Sequence, residues 1–341
     1  MTNLPKLDDV AQHAGVSTAT ASRALNRPES VRPELRRRVT DAVDELGYVA
    51  HGAARALASR KSKTVGAIVP TIDNAIFAKS IQTLQDRLSK LGYTLLLASS
   101  DYNQERERKE CQTLLEKGVD ALILVGEEHH PSVYRLLDNN QTPYVNIWIY
   151  NESSLQPCVG FDNASAARKL AKYLIDIGHR DIAMVAGINE GNDRAAERVS
   201  GVLTALNEHQ LSFSPGYLIE KPYEIAAGRT AAKQLLSLSN PPTAIMCGND
   251  ILAMGVLFEC LSRGFRVPED ISIAGFDGMD LTAHITPALT TVQIPSEEMG
   301  YMAAEYVHAR ISKLPVNDKT KLIANIIVRD STSVPRSHSL R

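Results

Sequence analysis

From Thr64 onward, short runs that suit β-strands alternate with runs that suit α-helices, and this alternation limits the fold more than any other feature. The strand-like runs are 65–70, 93–100, 119–126 and 144–150; helical runs lie near 76–91, 104–117 and from 132. After Phe161 the pattern repeats, with helices at 163–177, 194–209, 224–238 and 250–263 and strands at 181–187, 217–220, 244–248 and 271–276. The strands are β-branched and apolar on both faces, which predicts parallel sheets with helices on both faces. Two similar halves of this kind predict a two-lobed α/β body with ligand space at the C-terminal ends of its strands.

The N-terminal segment is built differently. Leu7, Val10, Ala11 and Ala14 fall at i, i+3, i+4 and i+7, one face of a first helix. Gly15 follows, where the chain must turn left-handed and a glycine has no Cβ to clash. Val16 can plug the apolar side of that turn, and Ser17 stands where an N-cap belongs, ahead of a helix Thr18–Leu25. That second helix is slim and polar on its outer face, through Thr18, Ala19, Ser22 and Arg23. Such a helix fits a DNA major groove, where an arginine fork matches guanine O6 and N7. The competing reading is a helical hairpin inside some larger core.

A third helix is predicted over 33–46, with Pro33 at its first position and an apolar stripe of Leu35, Val39, Ala42, Val43 and Leu46. Arg36-Arg37-Arg38 project across its other faces, positioned to touch phosphates without reading sequence. Residues 48–60 form an alanine-rich connector, too short to stand as an isolated helix. Residues 1–63 carry eleven basic and seven acidic side chains, a net of +4, whereas the whole chain is −2. A basic head on an acidic body suits selective contact with a polyanion.

Together, Asp9-Val10-Ala11, Ala14-Gly15-Val16-Ser17, Thr20, Ser22-Arg23 and Leu25-Asn26 resemble the opening of the lactose/galactose repressor (LacI/GalR) family of bacterial transcription regulators. Further marks of that family are Gly178-His179-Arg180, Arg198 with Gly201, Gly248-Asn249-Asp250, Gly275-Phe276-Asp277 and Thr286-Pro287, so the resemblance covers nearly the whole chain. It implies an all-α helix-turn-helix DNA-binding domain over 1–49 and a hinge helix over 50–63. It implies a two-lobed periplasmic-binding-protein-like effector and dimerisation domain over 64–341, with an N-lobe of about 64–160 and 291–325 and a C-lobe of about 161–290. The sequence departs from the family at Arg32 and Leu35-Arg36, which weakens the cap of the third helix, and at Ala50 and His51 at the hinge. No leucine-heptad tail follows Arg329.

The function so implied is a ligand-responsive repressor that binds a palindromic operator of double-stranded DNA as a homodimer. The DNA contacts would come from Thr18, Ala19, Thr20, Ser22, Arg23 and Asn26, with Arg36 on the backbone. In the hinge, Ala54 and Leu57 share one face, and the leucine would wedge into the minor groove. The effector, a sugar, sugar acid or nucleoside-like molecule, would be held by Phe77, Trp148, Asp162, Asn192, Arg194, Arg198, Tyr223, Asn249 and Asp277. The aromatic rings can stack on a base or on the CH face of a sugar, and Arg198 can offer a fork of donors.

Two other classes compete. A transporter's solute-binding protein shares the two-lobed core but needs export, and the start MTNLPKLDD has no apolar signal region. A doubly wound enzyme needs a phosphate loop or a catalytic dyad, and the motifs G-x-G-x-x-G, G-x-x-x-x-G-K-[ST], G-x-S-x-G and H-E-x-x-H do not occur. No catalytic residue, cofactor or metal site is therefore expected. Glu127-Glu128-His129-His130 reads as a solvated loop, and the four scattered cysteines lack C-x-x-C spacing. With no apolar run of about 20 residues to span a bilayer, no membrane partner and a cytoplasmic location are expected.

Overall fold

The structure is a computed structural model and describes residues 4–49, 61–73 and 75–336. The chain divides into two compact units, Met1–Ser62 and Lys63–Arg341. The predicted hinge, including Ala54 and Leu57, lies outside the described residues.

The first unit holds α1 (Leu7–His13), α2 (Thr18–Asn26) and α3 (Pro33–Leu46). Gly15 has φ +61°, the left-handed turn its position demands. Ser17 caps α2 by accepting the Thr20 N–H at 3.2 Å. The core is Val10, Ala11, Ala14, Ala21, Ala24, Val39 and Ala42, ringed by half-buried apolar side chains, Val16 among them. Alanines at five of these seven positions let the helices approach closely. Leu35 is only half-buried, outside this cluster, and Arg32 gives α3 no side-chain cap. Arg38 donates to the Gly15 carbonyl at 3.2 Å and ties α3 to the turn, while Arg36 and Arg37 face solvent.

The second unit is two parallel-rich sheets. In the N-lobe, β1 (Thr64–Val69), β2 (Thr94–Ser99), β3 (Ala121–Val125), β4 (Tyr144–Ile147), β5 (Cys158–Gly160) and β11 (Lys319–Lys321) lie in the order β11-β5-β4-β3-β1-β2, all pairs parallel. In the C-lobe, β6 (Ile182–Gly187), β7 (Leu218–Lys221), β8 (Ala244–Cys247), β9 (Ser272–Asp277), β10 (Thr290–Gln293) and β12 (Asn325–Ile327) lie in the order β12-β10-β9-β8-β6-β7. Here β12 runs antiparallel to β10. Helices α4 (Ala78–Lys90), α5 (Gln104–Glu116), α6 (Ser132–Asn139) and α11 (Ser296–Ser312) belong to the N-lobe; α7 (Asn163–Asp176), α8 (Asp193–Glu208), α9 (Ile225–Leu236) and α10 (Asp250–Ser262) belong to the C-lobe.

The lobe boundary near 290 differs from the sequence expectation. Residues 290–293 pair with β9 and so stay in the C-lobe, three residues past the expected switch. The chain returns to the C-lobe at β12, which pairs with β10, and further on the Ser331 hydroxyl donates to Ile273 O at 2.6 Å. The chain therefore crosses between lobes three times, after β5, after β10 and after β11. Strands β1 and β3 are buried along their length, as two-sided apolar runs require.

Candidate functional site

On the first unit, burial of Ala21 and Ala24 turns the opposite face of α2 outward. Thr18, Ala19, Arg23 and Asn26 are exposed, whereas Thr20 and Ser22 are half-buried. Thr18 donates to Asp8 Oδ1 at 2.8 Å, which fixes the N-terminus of α2 against α1. The Thr20 and Ser17 hydroxyls pair at 2.9 Å, and Asn26 Nδ2 donates to Ser22 O at 2.9 Å. The exposed, slim N-terminal turn and the Arg23 fork one turn later are the geometry of a groove reader.

On the second unit, a cleft opens between the lobes. It is lined by Ile76, Phe77, Tyr102 and Trp148 from the N-lobe and by Asn192, Arg194, Arg198, Tyr223, Asn249 and Asp277 from the C-lobe. Each lies at or just beyond the C-terminal end of a strand or at the helix start that follows, where parallel α/β sheets leave crevices. Of the residues named from the sequence, Asp162 does not line the cavity. It caps α7 instead, accepting the Ser165 N–H at 2.7 Å, because it directly precedes that helix. Ile76 and Tyr102 line it unforeseen; Tyr102 follows β2 as the other members follow their strands, which was the available signal.

The walls are aromatic. Phe77 and Trp148 meet edge to face at 4.7 Å, and Tyr102 and Tyr223 lie 5.8 Å apart. Arg198 stacks its guanidinium 3.9 Å above Phe276, donates from Nε to Asn163 and from Nη1 to the Gly248 carbonyl, and leaves Nη2 3.5 Å from Asp277. Three groups in the cleft are buried with no hydrogen-bond partner: Trp148 Nε1, Asn249 Nδ2 and both carboxylate oxygens of Asp277. Unpaired buried polar atoms are costly, so two donors and an acceptor at one cavity make it the candidate place for a polar ligand. Burial pushes the Asp277 carboxyl up to about 7, against the pull of Arg198 and Arg194.

The first turn of α8 crosses to the other lobe. Asp193 Oδ2 accepts the N–H groups of Glu127 and Glu128, and Arg194 donates to Val125 O at 3.0 Å and to Asp193 at 2.8 Å. Burial alone would raise the Asp193 carboxyl, but Arg194 and these backbone donors hold it below the usual carboxylate range. The remaining cavity is about 20 Å³, so a sugar- or nucleoside-sized molecule enters only when the lobes part.

The loop Glu127–His130 departs from its sequence reading. His129 is buried, with Nδ1 2.8 Å from Glu107 Oε2 and Nε2 3.1 Å from Gly126 O. Glu107 reaches it from α5, a partner that linear spacing does not reveal. Among the described residues no helix is long and apolar enough to cross a membrane, and no group of three or more metal-ligating side chains occurs.

Residues 6–51 match the family described as "Bacterial regulatory proteins, lacI family", and residues 171–332 match "Periplasmic binding protein-like domain". The chain is 35% identical over 320 residues to catabolite control protein A of Priestia megaterium, covering 90% of this chain and 95% of that one. It is 34% identical over 308 residues to the HTH-type transcriptional repressor PurR of Vibrio atlanticus, covering 89% and 91%. Among solved structures, a LacI-family transcriptional regulator from Silicibacter pomeroyi superposes with a TM-score of 0.87 at 26% identity, covering 97% of this chain and all of that one.

Proposed function

Since the chain belongs to the lacI family of bacterial regulatory proteins, and is thus a DNA-binding transcription regulator and not an enzyme, we propose that it represses as a homodimer on a palindromic operator under control of a small effector. Each protomer sets α2 in a major groove, with Thr18, Ala19 and Arg23 nearest the bases and Thr20, Ser22 and Asn26 beside them. Arg36 meets the phosphate backbone. Two hinge segments meet in the central minor groove through Ala54 and Leu57. A regulator of this kind works in the cytoplasm, where the DNA is. The repressor name of the relative from Vibrio atlanticus supports repression over activation.

The effector is a sugar, sugar acid or nucleoside-like molecule held in the cleft by Phe77, Trp148, Asn192, Arg194, Arg198, Tyr223, Asn249 and Asp277. One observation carries this reading: the unpaired Trp148 Nε1, Asn249 Nδ2 and Asp277 oxygens face one aromatic-walled cavity. Closure of the lobes, fastened by Asp193, sets whether the hinges can pair. The effector acts only through its differential affinity for the closed and parted forms.

A thermal-shift screen of the full chain against sugars, sugar acids and nucleosides tests it. A ligand bound only by the folded state raises the melting temperature. A true effector does so in the native chain and loses the effect in Asp277→Ala. A rise retained in Asp277→Ala assigns the ligand to another place.

A further inference from the structure

What a helix reads in a major groove depends on the donors, acceptors and methyl groups it brings. Guanine shows acceptors there, cytosine a donor, adenine one of each, and thymine an acceptor beside a methyl group. On the outer face of α2 most donors are already spent. The Thr18 hydroxyl gives its proton to Asp8 Oδ1 at 2.8 Å. Asn26 Nδ2 gives its protons to the Ser22 carbonyl at 2.9 Å and the Ser22 hydroxyl at 3.3 Å. Exposed Ala19 has no side-chain donor at all, and Arg23 is exposed with no acceptor for its guanidinium among the described residues.

Asp8 is the member of this group that needs a reason. It is an exposed carboxylate in the first turn of α1, next to the start of the reading helix, where it repels a polyanion. The start of α1 does not depend on it, because Asp9 accepts the Lys6 N–H there at 2.7 Å. The contact that Asp8 does make is with Thr18. A threonine Cβ carries its hydroxyl and its methyl on separate bonds, so a hydroxyl turned to α1 leaves the methyl as the side chain's free end.

We propose that Asp8 is a positioning residue for sequence reading: by taking the Thr18 proton it makes Thr18 a methyl contact, which selects thymine at one position of each half-site. This rests on the groove-reading role given to α2 above. With its proton spent, Thr18 cannot donate to guanine O6 or N7 or to thymine O4, and what it still offers, a threonine methyl, matches the thymine C5-methyl. Thr18 opens the first turn of α2, the part of a reading helix that meets base edges. The code of each half-site is then a methyl read by Thr18 and a guanine read by Arg23.

The test measures binding of the full chain to the duplex it selects from random DNA, with each thymine of one half-site replaced in turn by deoxyuridine. That change removes only the methyl, and at one position it should weaken binding about fourfold, the worth of one buried methyl. Thr18→Val keeps the methyl and should keep this preference; Thr18→Ser keeps only the hydroxyl and should bind both duplexes alike. Asp8→Ala should shrink the preference, Asp8→Asn, which retains an accepting oxygen, should restore it, and Asp8→Ala should leave it untouched when Val stands at position 18. A preference lost in Thr18→Val, retained in Thr18→Ser or unchanged in Asp8→Ala would overturn the proposal. So would a half-site in which no deoxyuridine weakens binding, or in which Thr18 selects adenine or cytosine, the bases that donate to its oxygen. Each of these leaves the groove-reading role of α2 standing, whereas a chain that selects no duplex brings down both.

Discussion

Asp193, in the first turn of a C-lobe helix, accepts the backbone N–H of Glu128 in the N-lobe at 3.0 Å, and so joins the two lobes through a side chain that touches both. The neighbouring Arg194 makes the reciprocal contact, donating to Val125 O. These bonds exist only while the lobes are together, which makes them the place where closure can be weakened without touching the cavity floor.

Asp193→Ala leaves two backbone donors unmatched in the closed form, at a cost on the order of 1–3 kcal/mol. The parted form should become more populated. Small-angle scattering of the 64–341 body within the full chain should then give a larger radius of gyration than the native protein, and Asp193→Asn should fall between the two.

Ser17→Ala removes the oxygen that caps α2 and the partner of the Thr20 hydroxyl. Loss of such a cap costs about 1 kcal/mol. Calorimetry should show the N-terminal unit melting earlier, with the transition of the two-lobed body unmoved.

Arg23→Ala should lose discrimination at one base position of each half-site, worth about 1–3 kcal/mol, since a bidentate fork is the strongest reader of guanine. The check is a binding profile over all single-base variants of a selected site. Uniform weakening at every position would make Arg23 a phosphate contact instead.

The pH dependence of stability has a definite sign. Asp277 and Asp250 have folded-state pKa values raised to about 7 and about 8, above the unfolded value near about 4. Between those limits the folded chain binds more protons than the unfolded one, so stability falls as pH rises. The melting temperature of the full chain should drop from about pH 6 to about pH 9, and Asp250→Asn should flatten that decline.

Much of this was legible along the chain, and the reasons differ by residue. Helix ends were readable where a cap or breaker sits in the sequence, as at Ser17 and at Pro33, because those signals are local. Cleft residues such as Trp148, Asn249 and Asp277 were named from the family resemblance, and each sits at or within two residues of the C-terminal end of a buried strand. Asp162 obeyed the same positional logic, yet its carboxylate turned to the helix it precedes. His129, Asp193 and Asp250 were not legible as structural groups. Their partners, Glu107, Glu128 and Thr291, arrive from elements 22, 65 and 41 residues away, and no periodicity records such a meeting. The lobe switch near 290 was misplaced for a related reason: β10 is assigned by its pairing with β9 rather than by its own four residues.

The most direct measurement is selection of duplexes from random DNA by the full chain, followed by titration of the winning site with the ligand found in the thermal-shift screen. The expected result is a two-fold symmetric sequence gripped in preference to random competitor, with an affinity that the ligand changes and that Leu57→Ala lowers. A chain that prefers no duplex over random competitor, or whose grip ignores a ligand bound in the cleft, would contradict the account.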